Sequence, residues 1–341
     1  MTLSLKRKRM GLAAFVVVLL LLAAFATGCG PTGSSSAAPP TPNSAASTDA
    51  STGANPPVSP SSTADAGAAA ETPGRYHQAG EPIRILMYHH FTNRGYFKNN
   101  GVAVIIDDFA AQMEYLRREG YHVVPLQRIW DYAQKGTPLP SRPVALTFDD
   151  GYESNYTLAF PILKKYNYPF TLFPVAGWLL DENPPHTFNP AKADLLDWRQ
   201  VDEMVASGLC DVQSHTFDLH DKVNGRSLLI APKVVDAKTG RKETPDEVRS
   251  RVKSDLQMAK ETIENRYGRP VTTLAYPYGE YDVSVMNIMD ELGYSYAVCM
   301  GRAQHKDNLK AVIRLGIVQE DGMEGFAKKM NQWAWTIKGK K

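Results

Sequence analysis

The chain has 341 residues, 43% hydrophobic and 10% aromatic, enough to bury a sizeable core in one domain of catalytic size with appendages. Its 38 basic and 36 acidic residues leave a formal net charge of +2, and no basic stripe interleaved with aromatics is present, so a nucleic-acid partner is set aside.

The N-terminus carries a targeting pattern. Lys6, Arg7, Lys8 and Arg9 precede the apolar run GLAAFVVVLLLLAAFA, which ends in TGCG. This order reads as a signal peptide, and the small residues before Cys29 resemble a bacterial lipobox, which implies cleavage there and a diacylglyceryl group on the Cys29 thiol. The alternative is an uncleaved anchor with an incidental cysteine, for which the apolar run is short. Residues 1–29 are thus expected to be a lipoprotein signal peptide, with the remainder extracytoplasmic and lipid-anchored to the bacterial cell membrane. Residues 30–80 collapse to Ser, Ala, Pro, Thr and Gly. They offer too little apolar surface to offset ordering entropy and are expected to form a flexible linker. Cys210 and Cys299 lie in strand-like segments and read as small buried hydrophobes, their pairing left open.

Residues 81–341 are expected to form the catalytic domain. Short apolar runs recur in order: IRILMYH, HVVPL, PVALTF, PFTLFPV, CDVQSH, VTTLAYP, YSYAVCM and AVIRL, rich in residues that suit a pleated surface. Helices alternate with them. DDFAAQMEYLRREG aligns Phe109, Met113 and Leu116 and stops at Gly120. DWRQVDEMVASG offers Asp197 and Gln200 at capping-box spacing, and the stretch from Thr244 and Pro245 through Glu247 repeats that signature ahead of the stripe Val248, Val252, Leu256, Ala259 and Ile263. Strands alternating with helices predict a mostly parallel α/β fold, and the number of repeats favours a (β/α) barrel, irregular or incomplete. Residues 224–243 and the loop DENPPHTFNPAKAD interrupt the rhythm and read as insertions near the functional face.

In such folds the chemistry collects at the carboxyl ends of strands. The polar residues there are His89 and His90, Asp149 and Asp150, Ser214 with His215 and His220, and Tyr278 with Gly279. Adjacent carboxylates repel, so Asp149 and Asp150 need something to offset their charge. Two imidazoles in SHTFDLH with a carboxylate from a neighbouring strand form a set that can hold a divalent cation, leaving the other aspartate as a base. Each piece alone has a bland reading: a solvated Asp-Asp-Gly turn, a surface histidine pair, an ordinary Pro-Tyr-Gly turn. Trp178, Trp198 and Tyr152 have two readings, platforms that stack on sugar rings or, more often for aromatics near strand ends, core, and the sequon at Asn155 reads as helix surface.

LTFDDGY, SHTFDLH and YPYGEYD resemble the first three motifs of the polysaccharide deacetylases, carbohydrate esterase family 4 with its NodB homology domain, over about residue 83 to the C-terminus. The resemblance implies an incomplete barrel of the seven-stranded type. By position, Asp149 corresponds to the catalytic base, Asp150, His215 and His220 to the metal ligands, and the Tyr278 backbone N–H to the oxyanion donor. Two departures stand out. Ala275 occupies the place of the arginine that orients the base in many members, and no late Leu-x-His follows Tyr281, the only later histidine being His305. ILMYHHF ahead of the first motif is similar instead to the branch that deacetylates poly-β-1,6-N-acetylglucosamine in biofilm matrices. There His89 takes the acid role, with His90 as the fallback.

The expected activity is metal-dependent hydrolysis of N-acetyl groups on a cell-surface N-acetylglucosamine polysaccharide, with zinc as the leading ion and Co, Ni, Mn or Fe as others the site accepts. Deacetylation of peptidoglycan or chitin-type β-1,4 glycans is the alternative substrate reading. A catalytically silent, lipid-anchored glycan-binding protein is the alternative from another class.

Overall fold

The computed structural model describes residues 76–95, 101–181, 187–301, 308–333 and 335–339. The expectations for Cys29, the signal peptide and nearly all of the linker lie outside the described residues, as does His305. The described chain makes contacts from Tyr76, which bridges Pro140, a few residues ahead of the expected domain boundary.

The chain opens with β1 (Arg84–Tyr88), β2 (His90–Thr92), β3 (Ala103–Ile105), α1 (Ile106–Arg118), β4 (His122–Val123) and α2 (Leu126–Lys135). It continues through β5 (Pro143–Asp150), α3 (Phe160–Tyr166), β6 (Phe170–Pro174), α4 (Trp198–Ala206) and β7 (Cys210–Val212). Two antiparallel hairpins follow, β8 (Lys222–Val223) with β9 (Arg226–Ser227) and β10 (Val234–Asp236) with β11 (Arg241–Lys242), then the long α5 (Pro245–Tyr267). The last part holds β12 (Thr273–Ala275), α6 (Val283–Leu292), β13 (Tyr296–Cys299), β14 (Val312–Ile313), β15 (Leu315–Gly316) and α7 (Gly322–Gln332).

This is a mixed α/β fold around a central parallel sheet. One ladder runs β15-β1-β5-β6-β7, with β4 beside the start of β5, and every pairing in it is parallel. A second parallel ladder runs β12-β13-β14. Just past β7, Ser214 bridges Leu274 in parallel: Ser214 N donates to Thr273 O (3.2 Å) and Ala275 N to Ser214 O (2.9 Å). At the other end only Arg314 separates β14 from β15.

Strands β1, β5, β6, β12 and β13 are buried along their whole length, as parallel strands covered on both faces are. Alternate side chains enter two clusters. Leu86, Tyr88, Leu146, Phe148 and Leu172 pack beneath the helices. Ile85, Ala145 and Phe173 of the first ladder share the other cluster with Ala275, Val298 and Val312 of the second. Asp149 follows Ala145 and Thr147 in the period-two alternation of β5, which turns its carboxylate to that second side.

The capping boxes read from sequence are present: Asp197 with Gln200 opens α4, and Thr244 with Glu247 opens α5. Each such cap stabilises its helix by about 1 kcal/mol. HVVPL differs from expectation. Its strand ends at Val123, and Leu126 starts α2, because Leu126, Ile129 and Trp130 recur at helical spacing and bury one face. Residues 224–243, read as an insertion, contribute to the two hairpins. Cys210 and Cys299 are free, buried thiols. Among the described residues no helix is long and apolar enough to cross a membrane.

Candidate active site

Strand β5 delivers Asp149 and Asp150 to the end of the sheet, and the two carboxylates meet different partners. Arg314 Nη1 and Nη2 lie 2.6 Å from Asp149 Oδ1 and Oδ2, and Nη1 also donates to Thr147 Oγ1 at 3.0 Å. The side chains are 1% and 3% exposed, so this is a buried, bidentate ion pair. Asp149 is therefore not a free carboxylate: an arginine from the junction of β14 and β15 holds both of its oxygens. The signal was in the sequence, since a charge inside the apolar run AVIRLGI has to find a buried partner.

Asp150 turns the other way. Its backbone is left-handed (φ 69°), an unusual state for a residue with a Cβ, and Thr216 (φ 76°) and Tyr278 (φ 60°) share it. All three lie in the motifs picked out from sequence, where held strain is characteristic of functional sites. Asp150, His215 and His220 each present a ligand atom within 4.8 Å of the others. His220 Nε2 is 3.1 Å and His215 Nε2 3.3 Å from Asp150 Oδ1, yet this buried oxygen makes no hydrogen bond of proper geometry.

For His215 the tautomer explains why. His215 Nδ1 sits 2.7 Å from the Ala275 carbonyl, which can only accept, so Nδ1 carries the proton. In the neutral ring Nε2 is then a bare lone pair aimed at a carboxylate oxygen. Lone pair against lone pair is unfavourable unless a cation lies between them, and a carbonyl on the distal nitrogen is the usual support of a metal-binding imidazole. The donor set thus fits a divalent metal ion.

Around this cluster the other candidates fall as follows. His89 Nε2 stands 3.9 Å from Asp149 Oδ2. His90 is buried at 1% exposure, with Nδ1 3.1 Å from Ser154 Oγ and its ring edge-on to Tyr152. The Tyr278 ring lies 4.8 Å from that of His220, its hydroxyl donates to His220 O at 3.1 Å, and Lys222 Nζ caps its face at 4.1 Å. Asn155 corrects expectation: it is buried at 1% exposure in a π-helical turn, and its Nδ2 donates to His89 O at 2.7 Å. Tyr152 and Trp178 also differ from a core reading. Tyr152 lies beside Asp150, and burial together with that carboxylate's charge pushes its phenol pKa up, while Trp178 lies edge-on to His220 at 5.4 Å and donates to Asp218 Oδ1. Trp198 is core, as read.

The charges follow this geometry. Burial pushes the Asp149 carboxyl up, but Arg314, His215 and His89 outweigh it and hold its pKa below the ordinary value. Burial acts on Asp150 likewise, and His220 with His215 takes it well below. Burial lowers His220, but Asp150 and Asp149 raise it further. For His89 burial wins over both carboxylates and the pKa is lowered. His90 is driven by burial to about 4.

The described sheet thus carries, at its strand ends, a donor set that can hold a divalent ion beside a second buried carboxylate, the groups that metal-assisted hydrolysis needs. Residues 136–297 match the polysaccharide deacetylase family. The chain is 29% identical over 232 residues to the poly-β-1,6-N-acetyl-D-glucosamine N-deacetylase of Escherichia coli K12, covering 64% of this chain and 34% of that protein. It is 29% identical over 194 residues to the enzyme of the same name from Staphylococcus epidermidis, covering 57% and 60%. A solved de-N-acetylase from Aggregatibacter actinomycetemcomitans superposes with TM-score 0.62 at 27% identity, over 73% of this chain and 100% of that one. The chain thus spans about a third of the Escherichia coli protein. It is similar over residues 136–297 to the polysaccharide deacetylases, and its fold is similar to that of the solved de-N-acetylase.

Proposed function

We propose that this protein is a metal-dependent N-deacetylase of a cell-surface N-acetylglucosamine polysaccharide, with poly-β-1,6-N-acetylglucosamine as its substrate. The observation that carries the reading is the convergence of Asp150, His215 and His220 with the His215 proton committed to Ala275 O. The names of the curated relatives support the choice of glycan.

A divalent ion held there, zinc or another first-row metal, would supply Lewis acidity toward water and the acetyl carbonyl. Asp149 takes the proton of the attacking water. A general base of this kind typically contributes about a hundred- to ten-thousand-fold. Arg314 fixes both Asp149 oxygens and keeps the carboxylate ionised until that moment. The backbone N–H of Tyr278 meets the negative charge on the tetrahedral carbon's oxygen, a role in which one preorganised donor is worth roughly 3 kcal/mol. His89 Nε2 passes a proton to the departing amine; its lowered pKa makes the imidazolium, once formed, a willing donor. Asn155 holds the His89 backbone in place.

The two ladders are read as one irregular, seven-stranded barrel, an assignment supported by the Ser214–Leu274 bridge, the single residue between β14 and β15 and the apolar cluster common to both. The lipid anchor at Cys29, the extracytoplasmic location and the linker of residues 30–80 belong to the same proposal, on the sequence pattern alone. The test is acetate release from β-1,6 and β-1,4 N-acetylglucosamine oligomers side by side. Turnover of the β-1,6 series is expected. Preference for the β-1,4 series would replace the substrate, and binding without turnover under every first-row ion would replace the activity.

A further inference from the structure

The turn joining His215 to His220 is held from two sides. Ala176 N donates to Thr216 O (3.1 Å) and Gly177 N to Phe217 O (2.9 Å). Gly177 is required for this approach: a Cβ there would meet the Phe217 ring and carbonyl at 2.7 Å. From the opposite side α5 presents Asp255. Its Oδ1 accepts from Phe217 N and its Oδ2 from Asp218 N, both at 2.8 Å. Within the turn, Leu219 N reaches Thr216 Oγ1 at 3.2 Å, and Thr216 takes the left-handed backbone noted above.

Asp255 is only 9% exposed, and among the described residues no cationic side chain pairs with it within ion-pairing distance. A buried carboxylate in a helix interior is costly. What it gains in return is these two N–H groups. They lie in the turn that carries His220, and the second belongs to Asp218, whose carboxylate accepts from Trp178 beside the His220 ring.

We propose that Asp255 is a positioning residue for the metal-ligand set: by clamping the apex of the turn it converges His215 and His220 on Asp150 before any ion arrives. The inference rests on the metal reading given above and extends it from the ligands to the helix behind them. Groups that orient ligands from outside typically matter by 10- to 100-fold in metal affinity. Asp255→Asn keeps the volume but turns one acceptor into an NH2 group facing an N–H of the turn. Asp255→Ser removes both acceptors and the buried charge.

The experiment is titration of the metal-free full chain with Co2+ alone, read by cobalt absorption and chelator competition, with thermal unfolding of each metal-free chain in parallel. The expected result is a Co2+ dissociation constant raised roughly 10- to 100-fold in whichever of the two variants is folded. A folded variant that binds Co2+ within twofold of the wild type, whatever its thermal stability, overturns the assignment and leaves Asp255 a purely structural residue. Failure of the wild-type chain itself to bind Co2+ overturns the metal reading and this inference with it.

Discussion

Replacing Arg314 by Met asks what holds the second carboxylate of the Asp-Asp pair. The pair is 1% and 3% exposed and joined by two contacts of 2.6 Å, so the substitution strands an ionised Asp149 in the interior. Removing one partner of a buried ion pair costs about 3–5 kcal/mol. At about 2–4 °C per kcal/mol for a domain of this size, the melting temperature of the metal-free chain should fall by roughly 6–20 °C. Asp149→Leu alone should do comparable damage, because it strands the guanidinium instead. The double variant removes both charges and should cost less than the sum, with a coupling energy of at least about 2 kcal/mol. Arg314→Lys should fall between, since a point charge cannot grip both oxygens. Guanidinium unfolding of the four chains measures the cycle. A loss below about 1 kcal/mol for Arg314→Met, with coupling near zero, would refute the buried pair.

Asp149→Asn should lower kcat for acetate release by about a hundred- to ten-thousand-fold with KM little changed, and equal losses through KM would point to a binding role. Saturation of the metal-free chain with Co2+ at a hundred times its dissociation constant should add about 2.7 kcal/mol of stability, and His215→Ala should abolish that gain; a gain that persists places the ion elsewhere. Burial lifts the Asp255 carboxyl to about 6, against about 3.9 in an unfolded chain. Between those values the folded state holds the proton and the unfolded state does not, so the contribution of Asp255 to stability is greatest at low pH and declines as pH rises through the window, by roughly 3 kcal/mol in total. Urea unfolding of wild type and Asp255→Asn at pH 4 and pH 7 should show the difference between them shifting against the wild type, and a pH-independent difference would contradict it.

The strand runs, the two capping boxes and the polar residues at strand ends were legible because each is a local pattern. So the metal cluster could be assembled on paper from LTFDDGY and SHTFDLH. The partners of Arg314, Asn155 and Asp255 were not, because each acts across more than 35 intervening residues, on Asp149, the His89 carbonyl and the Phe217–Asp218 amides respectively. Local reading also sent Asn155 to the surface, when its amide is spent inside. HVVPL misled because a short apolar run fits a strand and the first turn of an amphipathic helix equally well. The order of the two ladders had no local signature, since parallel strands pair over long crossovers.

The most direct test of the central claim is acetate release from poly-β-1,6-N-acetylglucosamine by the full chain, measured as purified, after complete metal removal, and after one divalent ion per chain is restored. Release should vanish on removal and return with the ion. Undiminished release from a chain shown to hold no metal would contradict the assignment of Asp150, His215 and His220.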